Sequence, residues 1–195
     1  LERLAERDQF VEACGLSIWP DGTTYGRYRF RHALYAQVLR GRTPAARKSR
    51  MHLQIAERLE MAFRERSNEI AAELAFHFEQ GGSRAQALRY RVRSAQVAFD
   101  RLAPAEVRQE GQRALELLDA LPEGDERDLC ELRIKLILMR ALLAEQGHLS
   151  RALGSLMERA LQLVDRADDA QLLGSVLALI CDVSQPDRIR EAFAT

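Results

Sequence analysis

Five carboxylates lie close together in the sequence DALPEGDERD (119–128). A carboxylate cluster can bind a hard cation or act as general acid and base. This run lacks the alternating spacing of a calcium-binding loop. It falls at a chain break followed by a helix start, where carboxylates cap the helix and interact favourably with its dipole. We therefore predict neither a metal site nor a catalytic site here.

The other residues capable of metal binding or nucleophilic chemistry are scattered. The three cysteines are far apart and share no CxxC motif: Cys14, Cys130 and Cys181. Their odd number argues against a disulfide framework, and burial as small hydrophobic residues is predicted. His52, His77 and His148 stand singly, so ordinary surface or core positions are predicted for them. The chain is accordingly not expected to be an enzyme or to hold a cofactor of its own, and a helical enzyme with a hidden pocket is the least favoured alternative.

One stretch of the chain carries only positive charge. No acidic residue occurs between Asp21 and Glu57. The same stretch contains eight basic residues: Arg27, Arg29, Arg31, Arg40, Arg42, Arg47, Lys48 and Arg50. Such a strip can face nucleic acid phosphates, an acidic protein surface, or only solvent. Solvent is the usual outcome, and among the binding roles a protein or intramolecular partner is favoured over nucleic acid.

Composition limits the class of protein. The 195 residues contain 29 Lys and Arg and 29 Asp and Glu, so the whole molecule has no net charge to draw it to nucleic acid or an anionic membrane. No apolar run approaches the roughly 20 residues of a membrane span, and a soluble protein of one or two domains is expected. The unpaired cysteines favour a reducing cytoplasm. The first residues lack a starting Met and a signal-peptide pattern, so we expect the chain to be part of a longer protein.

Hydrophobic periodicity predicts an almost entirely helical chain. A short first helix is expected to end at Gly15. A small β-hairpin is predicted for LSIWPDGTTYGRYRF (16–30), which is rich in β-branched and aromatic residues and has turn chemistry at Pro20, Asp21 and Gly22. The residues predicted to cap or open later helices are Thr43 with Pro44, Ser67, Ser83 and Pro104.

The last third of the chain is predicted to contain three amphipathic helices. The first is expected to follow the break at Leu121-Pro122-Glu123-Gly124 and to end at Gly147. Five apolar residues at helical spacing are predicted to share one side of it: Leu129, Leu132, Leu136, Met139 and Leu143. The other two helices are expected over residues 149–165 and 170–183.

Short breaks and recurring Ala-Leu pairs suggest that the helices stack as hairpins. The pairs are Ala87-Leu88, Ala114-Leu115, Ala152-Leu153 and Ala160-Leu161. The small residue would let neighbouring helices approach, and the Leu would fill the gap between them. The predicted fold is all-α, an antiparallel helical-hairpin superhelix of the tetratricopeptide type with a small β-hairpin near the N-terminus. Periodicity alone leaves an ordinary helix-rich domain equally open.

Five segments carry a resemblance to a known family: YRFRHALYAQVL (28–39), RMHLQIAERLE (50–60), ELAFHFEQGGSRAQALRY (73–90), EGQRALELLDALPEGDERDLCELRIKL (110–136) and ALLAEQGHLSRAL (141–153). Together they resemble bacterial STAND-type signalling ATPases, in which a P-loop ATPase module precedes a winged-helix-like module and tetratricopeptide-like repeats. The resemblance covers nearly the whole chain, and YRFRHAL is its most specific part.

The resemblance implies a domain organisation and one site residue. Residues 1–42 would be the end of the winged-helix-like module with its β-hairpin, and residues 43–195 the helical repeat region. In such proteins a His that follows an aromatic at the end of the winged-helix module lies near the nucleotide and helps to hold the resting ADP state. His32 matches this position, and the alternative is a histidine that caps or packs at a helix start. The repeats depart from the tetratricopeptide pattern, since Gly111 stands where an aromatic is expected and Val107 where a small Ala is usual.

The resemblance also implies a function. The chain has no GxxxxGK[ST] motif, so the ATP or ADP of such a protein would be bound by a module upstream of it. We expect a regulatory and protein-interaction segment whose partners are that ATPase module in cis and a protein or inducer at the helical repeats. The alternative is a DNA-binding winged-helix fragment that uses the basic segment 27–50, with binding that weakens steeply as salt rises. No association with a membrane is expected.

Overall fold

A computed structural model describes residues 10–146 and 151–164 of the chain, together with Gly174. Most of these residues are helical, with one small antiparallel sheet near the N-terminus. The chain divides into two units, Leu1–Ser83 and Arg84–Thr195. The boundary between residues 42 and 43 implied by the family resemblance stays a prediction. The helix predicted over 170–183, apart from Gly174, and the stop at Gly147 lie outside the described residues.

The N-terminal unit begins with the predicted β-hairpin. Strands β1 (Val11–Ile18) and β2 (Thr24–Phe30) pair antiparallel from Val11 opposite Phe30 to Ile18 opposite Thr24. At the turn, the Trp19 amide donates a hydrogen bond to the Thr23 carbonyl (2.8 Å). The glycine at position 22 has φ of +84°, which a side chain would disfavour.

The predicted first helix is wrong from Val11 onward. Residues 11–14 belong to β1, and Gly15, with φ of +86°, lies in an irregularity of the strand and does not end a helix. Only a few apolar residues supported the helical period. Pairing with β2, whose Tyr and Phe residues favour the extended conformation, decides the structure of this segment. Residues 1–9 lie outside the described part of the chain.

Four helical segments complete this unit: α1 (Ala33–Arg42), α2 (Ala45–Phe63), a 3-10 helix (Arg64–Ile70) and α3 (Ala71–Gln80). Helices α2 and α3 pack together, and their apolar core includes Leu59, Leu74 and Phe78, the last two without any exposed surface. Burial of such side chains contributes about 1.5–3 kcal/mol each.

Two predicted caps in this unit are wrong. Pro44 itself is the N-cap of α2, and the Thr43 hydroxyl instead donates a hydrogen bond to the Leu39 carbonyl (2.7 Å) at the end of α1. Ser67 is buried within the 3-10 helix, and α3 starts four residues later at Ala71 without a side-chain cap. A short polar residue signals a helix start only if the backbone before it is not already helical.

The C-terminal unit contains α4 (Arg84–Asp100), α5 (Pro104–Leu118), α6 (Asp125–Gln146) and α7 (Arg151–Val164). The predicted start at Ser83, the proline opening α5 and the break before α6 are confirmed. Helix α5 packs on α4 and α6, α4 also contacts α6, and α7 packs on α6. None of the helices described is both long and apolar enough to cross a bilayer.

Helix α6 is apolar on two sides, whereas one stripe was predicted. Leu132, Leu136 and Met139 of that stripe form a cluster with residues of α7. The opposite side, which includes Ile134 and Ile137, forms a second cluster with α4 and α5. A helix packed between neighbours on both sides must be apolar on both sides. Apolar residues on the second side weaken the one-sided periodicity of the sequence, so periodicity alone does not predict them.

Candidate interaction surface

Helix α1 of the N-terminal unit buries none of its ten residues. Its apolar side chains Leu34, Val38 and Leu39 are 63%, 45% and 53% exposed. Tyr35 is half-buried, and its ring meets the Phe10 ring edge-on, with centroids 5.0 Å apart. One side of α1 therefore contacts the start of the hairpin, while an apolar patch remains open. We call Leu34, Val38 and Leu39 the α1 patch.

The basic strip surrounds this patch in sequence and is mostly exposed. Arg27, Arg29 and Arg31 lie on or just after β2, Arg40 and Arg42 in the last turn of α1, and Arg47, Lys48 and Arg50 near the start of α2. Lys48 is half-buried and the other seven are exposed. Positive residues at the end of α1 also interact favourably with its dipole.

Not all of these cations are available to a partner. Arg29 forms an ion pair with Glu12 on the opposite strand, and this hydrogen bond raises the pKa of the Arg29 guanidinium. Arg40 donates to the Ala36 carbonyl (3.3 Å) within its own helix. Within residues 10–146 and 151–164, no carboxylate pairs with Arg27, Arg42, Arg47, Lys48 or Arg50. These five cations are therefore not neutralised by the described part of the chain.

His32 is the N-cap residue of α1, but its side chain forms no capping hydrogen bond. Its carbonyl accepts a hydrogen bond from the Tyr35 amide (3.0 Å), and its exposed ring lies edge-on to the Tyr35 ring with centroids 5.6 Å apart. In the sequence His32 directly follows Arg31, between the end of β2 and the start of α1. Its role toward a nucleotide stays a prediction.

Arg58 of α2 fixes the hairpin tip. Its guanidinium donates to the Asp21 carboxylate (Nη1 to Oδ2, 2.6 Å) and to the Thr23 hydroxyl, and its Cζ lies 5.1 Å from the centre of the Trp19 ring. The bonds from Arg58, followed by those from Thr23, hold the pKa of Asp21 well below its usual range. The hairpin is therefore attached to α2 by a charged and aromatic contact that no local sequence signal indicates.

Two histidines that the sequence shows singly lie against each other in this unit. His52 of α2 and His77 of α3 have their Nδ1 atoms 2.9 Å apart, and both residues are half-buried. The Phe76 ring meets the His52 ring edge-on at 5.6 Å. The contact joins residues 25 positions apart across the 3-10 helix, so spacing could not have revealed it.

In the C-terminal unit, the carboxylate run occupies the break before α6 and the first turn of that helix, where the sequence places it. Asp125, Glu126 and Asp128 lie in that first turn, and Glu126 pairs with Arg89 of α4. A cavity of about 270 Å³ beside it is lined in part by Leu88, Leu121 and Cys130. In the described part of the chain, no group of three or more His, Cys, Asp or Glu residues could hold a metal ion.

The two cysteines that the structure describes differ in exposure. Cys130 is buried as predicted, and burial raises the pKa of its thiol. Cys14 is exposed on β1, so its predicted burial is wrong because the strand turns that side chain outward. Cys181 lies outside the described residues.

Comparison with protein-family models, with curated proteins and with solved structures gives no match.

Proposed function

We propose that the chain is a regulatory and protein-interaction segment of a larger STAND-type signalling ATPase in the cytoplasm. In this proposal the α1 patch and the basic strip bind an acidic surface of the upstream nucleotide-binding module. The helices after residue 43 form a tetratricopeptide-like array that receives a protein or small inducer and relays that event by helix packing.

The observation that carries the proposal is that α1 buries no residue although it presents three large apolar side chains. An isolated helix shorter than about 12–15 residues is marginal in water, so a ten-residue helix gains most of its stability from packing. A surface that completes this packing would bury the α1 patch. The unpaired cations Arg27, Arg42, Arg47, Lys48 and Arg50 favour a partner that is acidic around an apolar centre.

The array of hairpins is supported by the packing order in the C-terminal unit. Helix α6 contacts both helices of the preceding pair, α4 and α5, which is the neighbour pattern of stacked helical repeats. In three Ala-Leu pairs the alanine is fully buried: Ala87, Ala114 and Ala160. Leu88, which follows Ala87, is 1% exposed, whereas Leu161, which follows Ala160, is 41% exposed. The pairs are therefore not equivalent.

The first test is to sequence the gene upstream of the codon for Leu1, where the proposal requires a P-loop motif. The decisive test is calorimetric titration of that module, loaded with ADP or ATP, into the whole chain. We expect the double variant Leu34→Asp, Val38→Asp to bind at least roughly tenfold more weakly, because the acids are placed at the centre of the contact. His32→Ala should reduce the difference between the ADP and ATP states if His32 contacts nucleotide.

The matched control is Leu102→Asp, which makes the same change at a residue that is 86% exposed in the C-terminal unit. It should leave the affinity unchanged. Absence of a P-loop module, or equal affinity for the parent chain and the α1 double variant, would contradict the proposal. Tight binding of duplex DNA that falls steeply with salt would instead support the winged-helix alternative, since phosphate contacts release counterions.

A further inference from the structure

The His52–His77 contact lies at one end of the α2–α3 packing. The same end contains a hydrogen bond from the Ser49 hydroxyl to the Gly81 carbonyl (3.1 Å). Gly81 also lies so close to α2 that a Cβ there would be 3.0 Å from the Leu53 nitrogen. The start of α2 is thus joined to the end of α3 by two polar contacts and a close backbone approach.

The geometry of the two rings is that of a hydrogen bond. The ring centroids are 5.0 Å apart and the Nδ1 atoms 2.9 Å apart, so each nitrogen points almost directly at the other. An N–H···N bond of this length needs one nitrogen with a proton and one with a free lone pair. The pair accepts this arrangement when both imidazoles are neutral or when one of them is an imidazolium.

A chelated metal ion fits this geometry less well. Zinc lies about 2.0–2.1 Å from a histidine nitrogen, and both lone pairs must converge on the ion from the side. Here the lone-pair directions oppose each other along the line between the two nitrogens. Glu73 is one turn before His77 on α3 but forms no metal-ligand group with the pair among the described residues.

The two Nδ1 atoms cannot both carry a proton in this arrangement. If both rings are imidazolium, two N–H groups face each other at 2.9 Å and two positive charges repel in a half-buried site. Burial lowers the pKa of His77, and the charge on His52 lowers it further, while Glu73 on the same helix opposes the shift. From the 3-10 helix, Arg66 and Glu69 are paired with each other (Nε to Oε1, 2.8 Å).

We propose that the His52–His77 pair is an acid-sensitive latch, which closes the start of α2 onto α3 near neutral pH and opens it when the second imidazole is protonated. Opening would free the segment with Arg47, Lys48 and Arg50 from its packing on α3. The inference goes beyond the function proposed above and does not depend on it, because it concerns the α2–α3 contact alone.

The sign of the pH dependence follows from linkage. His77 binds its proton less readily in the folded state than in the unfolded state, so the unfolded or locally open form takes up more protons as the pH falls. The contribution of the latch is therefore fully present above the ordinary histidine range. It declines as the pH falls below about 6.5.

The test is amide hydrogen exchange of the whole chain, measured by NMR between about pH 7 and pH 5 and corrected for intrinsic exchange. We expect protection at Leu53 and Gln54 to fall at least roughly tenfold over this range relative to Leu74 in the core. In His77→Asn, whose amide reproduces the Nδ1 position without titrating, this pH dependence should disappear. The control His32→Asn, at an exposed histidine of the same unit, should keep it. His148 lies outside the described residues.

Three outcomes would overturn the proposal. One is a pH dependence in His77→Asn equal to that of the parent chain. Another is independent titration of the His52 and His77 ring signals, with neither pKa altered by substitution of the other residue. The third is a gain in protection on addition of Zn²⁺ alone at neutral pH that is lost in His77→Asn, which would make the pair a metal site.

Discussion

Gly111 of α5 lies directly against Leu138 of α6. A Cβ at position 111 would be 2.7 Å from Cδ2 of Leu138 and 3.1 Å from its Cγ. Leu138 packs against the cluster formed by α4, α5 and α6. Helices α5 and α6 can therefore approach this closely only because position 111 has no side chain.

We predict that Gly111→Ala destabilises the chain. Alanine in a helix interior is favoured over glycine by about 0.5–1 kcal/mol. The overlap with Leu138 costs about 1–3 kcal/mol, since Cγ as well as the flexible end of the side chain must move. The expected net loss is therefore up to about 2.5 kcal/mol. It is measured as a lower midpoint in urea unfolding followed by far-ultraviolet circular dichroism.

The control is Gly154→Ala in α7 of the same unit. Apart from its chain neighbours and the backbone of its own helix, no described atom lies within 4 Å of the position its Cβ would take. The change should therefore stabilise by about 0.5–1 kcal/mol. Gly111→Ala combined with Leu138→Ala should lose less than the sum of the single changes, because the overlap is gone. Equal stabilisation by Gly111→Ala and Gly154→Ala would show that α5 and α6 do not touch at this point.

Breaks set by proline and glycine are predicted correctly, whereas the local capping signals at Thr43 and Ser67 are not. Pro104 and the break at 121–124 act through their own backbone restrictions, which hold in any tertiary context. The hairpin around Asp21 and Gly22 is confirmed for the same reason. The helix predicted before Gly15 is wrong because only pairing with β2 distinguishes a strand from a helix there.

Contacts between elements could not be predicted from spacing. The two apolar sides of α6 became clear only when its neighbours were known. At Gly111 the space above the missing side chain is occupied by Leu138 from the facing helix, whereas a tetratricopeptide pattern would place an aromatic at 111 itself. The His52–His77 and Arg58–Asp21 contacts join residues 25 and 37 positions apart, and depend on the packing of whole elements.

The buried ion pair between Arg91 of α4 and Glu110 of α5 gives a second prediction. Nη1 of Arg91 lies 2.9 and 3.1 Å from the two carboxylate oxygens, and both side chains are only 11% exposed. Arg91→Met leaves a buried carboxylate without its cation, and we expect a loss of about 3–5 kcal/mol. The measurement is thermal unfolding monitored by circular dichroism.

Replacing both charges separates the two contributions to this effect. The double variant Arg91→Met, Glu110→Met removes the unpaired charge and keeps much of the volume, so its stability should return to within about 1–2 kcal/mol of the parent chain. If the double variant were as unstable as Arg91→Met, packing rather than charge burial would explain the loss.

The contact of Arg58 with the hairpin tip can be followed by fluorescence. Trp19 is the only tryptophan of the chain, and the Arg58 guanidinium lies over its ring. Arg58→Ala removes the cation and the bonds to Asp21, so the emission of Trp19 should shift to longer wavelength as the ring becomes more hydrated. Arg50→Ala, at an exposed residue of the same helix, should leave the spectrum unchanged. An unaltered spectrum in Arg58→Ala would mean that the hairpin tip does not rest on α2.

The last prediction concerns Glu131 of α6. Its carboxylate accepts hydrogen bonds from Arg159 of α7 (2.9 and 3.0 Å), with Lys135 and Arg127 within 3.6 and 3.7 Å. Burial alone would raise the pKa of Glu131. The bonds from Arg159 and the three positive charges outweigh it, so the pKa is lowered from 4.5. A lowered pKa means that the ionised form stabilises the fold above the unfolded value, and this stabilisation is lost as the pH falls through the folded pKa.

Glu131→Gln should therefore reduce the free energy of unfolding by about 1–3 kcal/mol at neutral pH, because Arg159 keeps a weaker acceptor. The difference from the parent chain should shrink as the pH is lowered below 4.5, where the parent also loses the charge. Glu116→Gln is the matched control: it removes the carboxylate of an exposed pair with Arg113 (3.0 Å), and such surface pairs contribute about 0–1 kcal/mol. A Glu131→Gln loss that does not vary with pH would show that this carboxylate acts through its shape alone. A loss that shrinks in acid would establish that its charge joins α6 to α7.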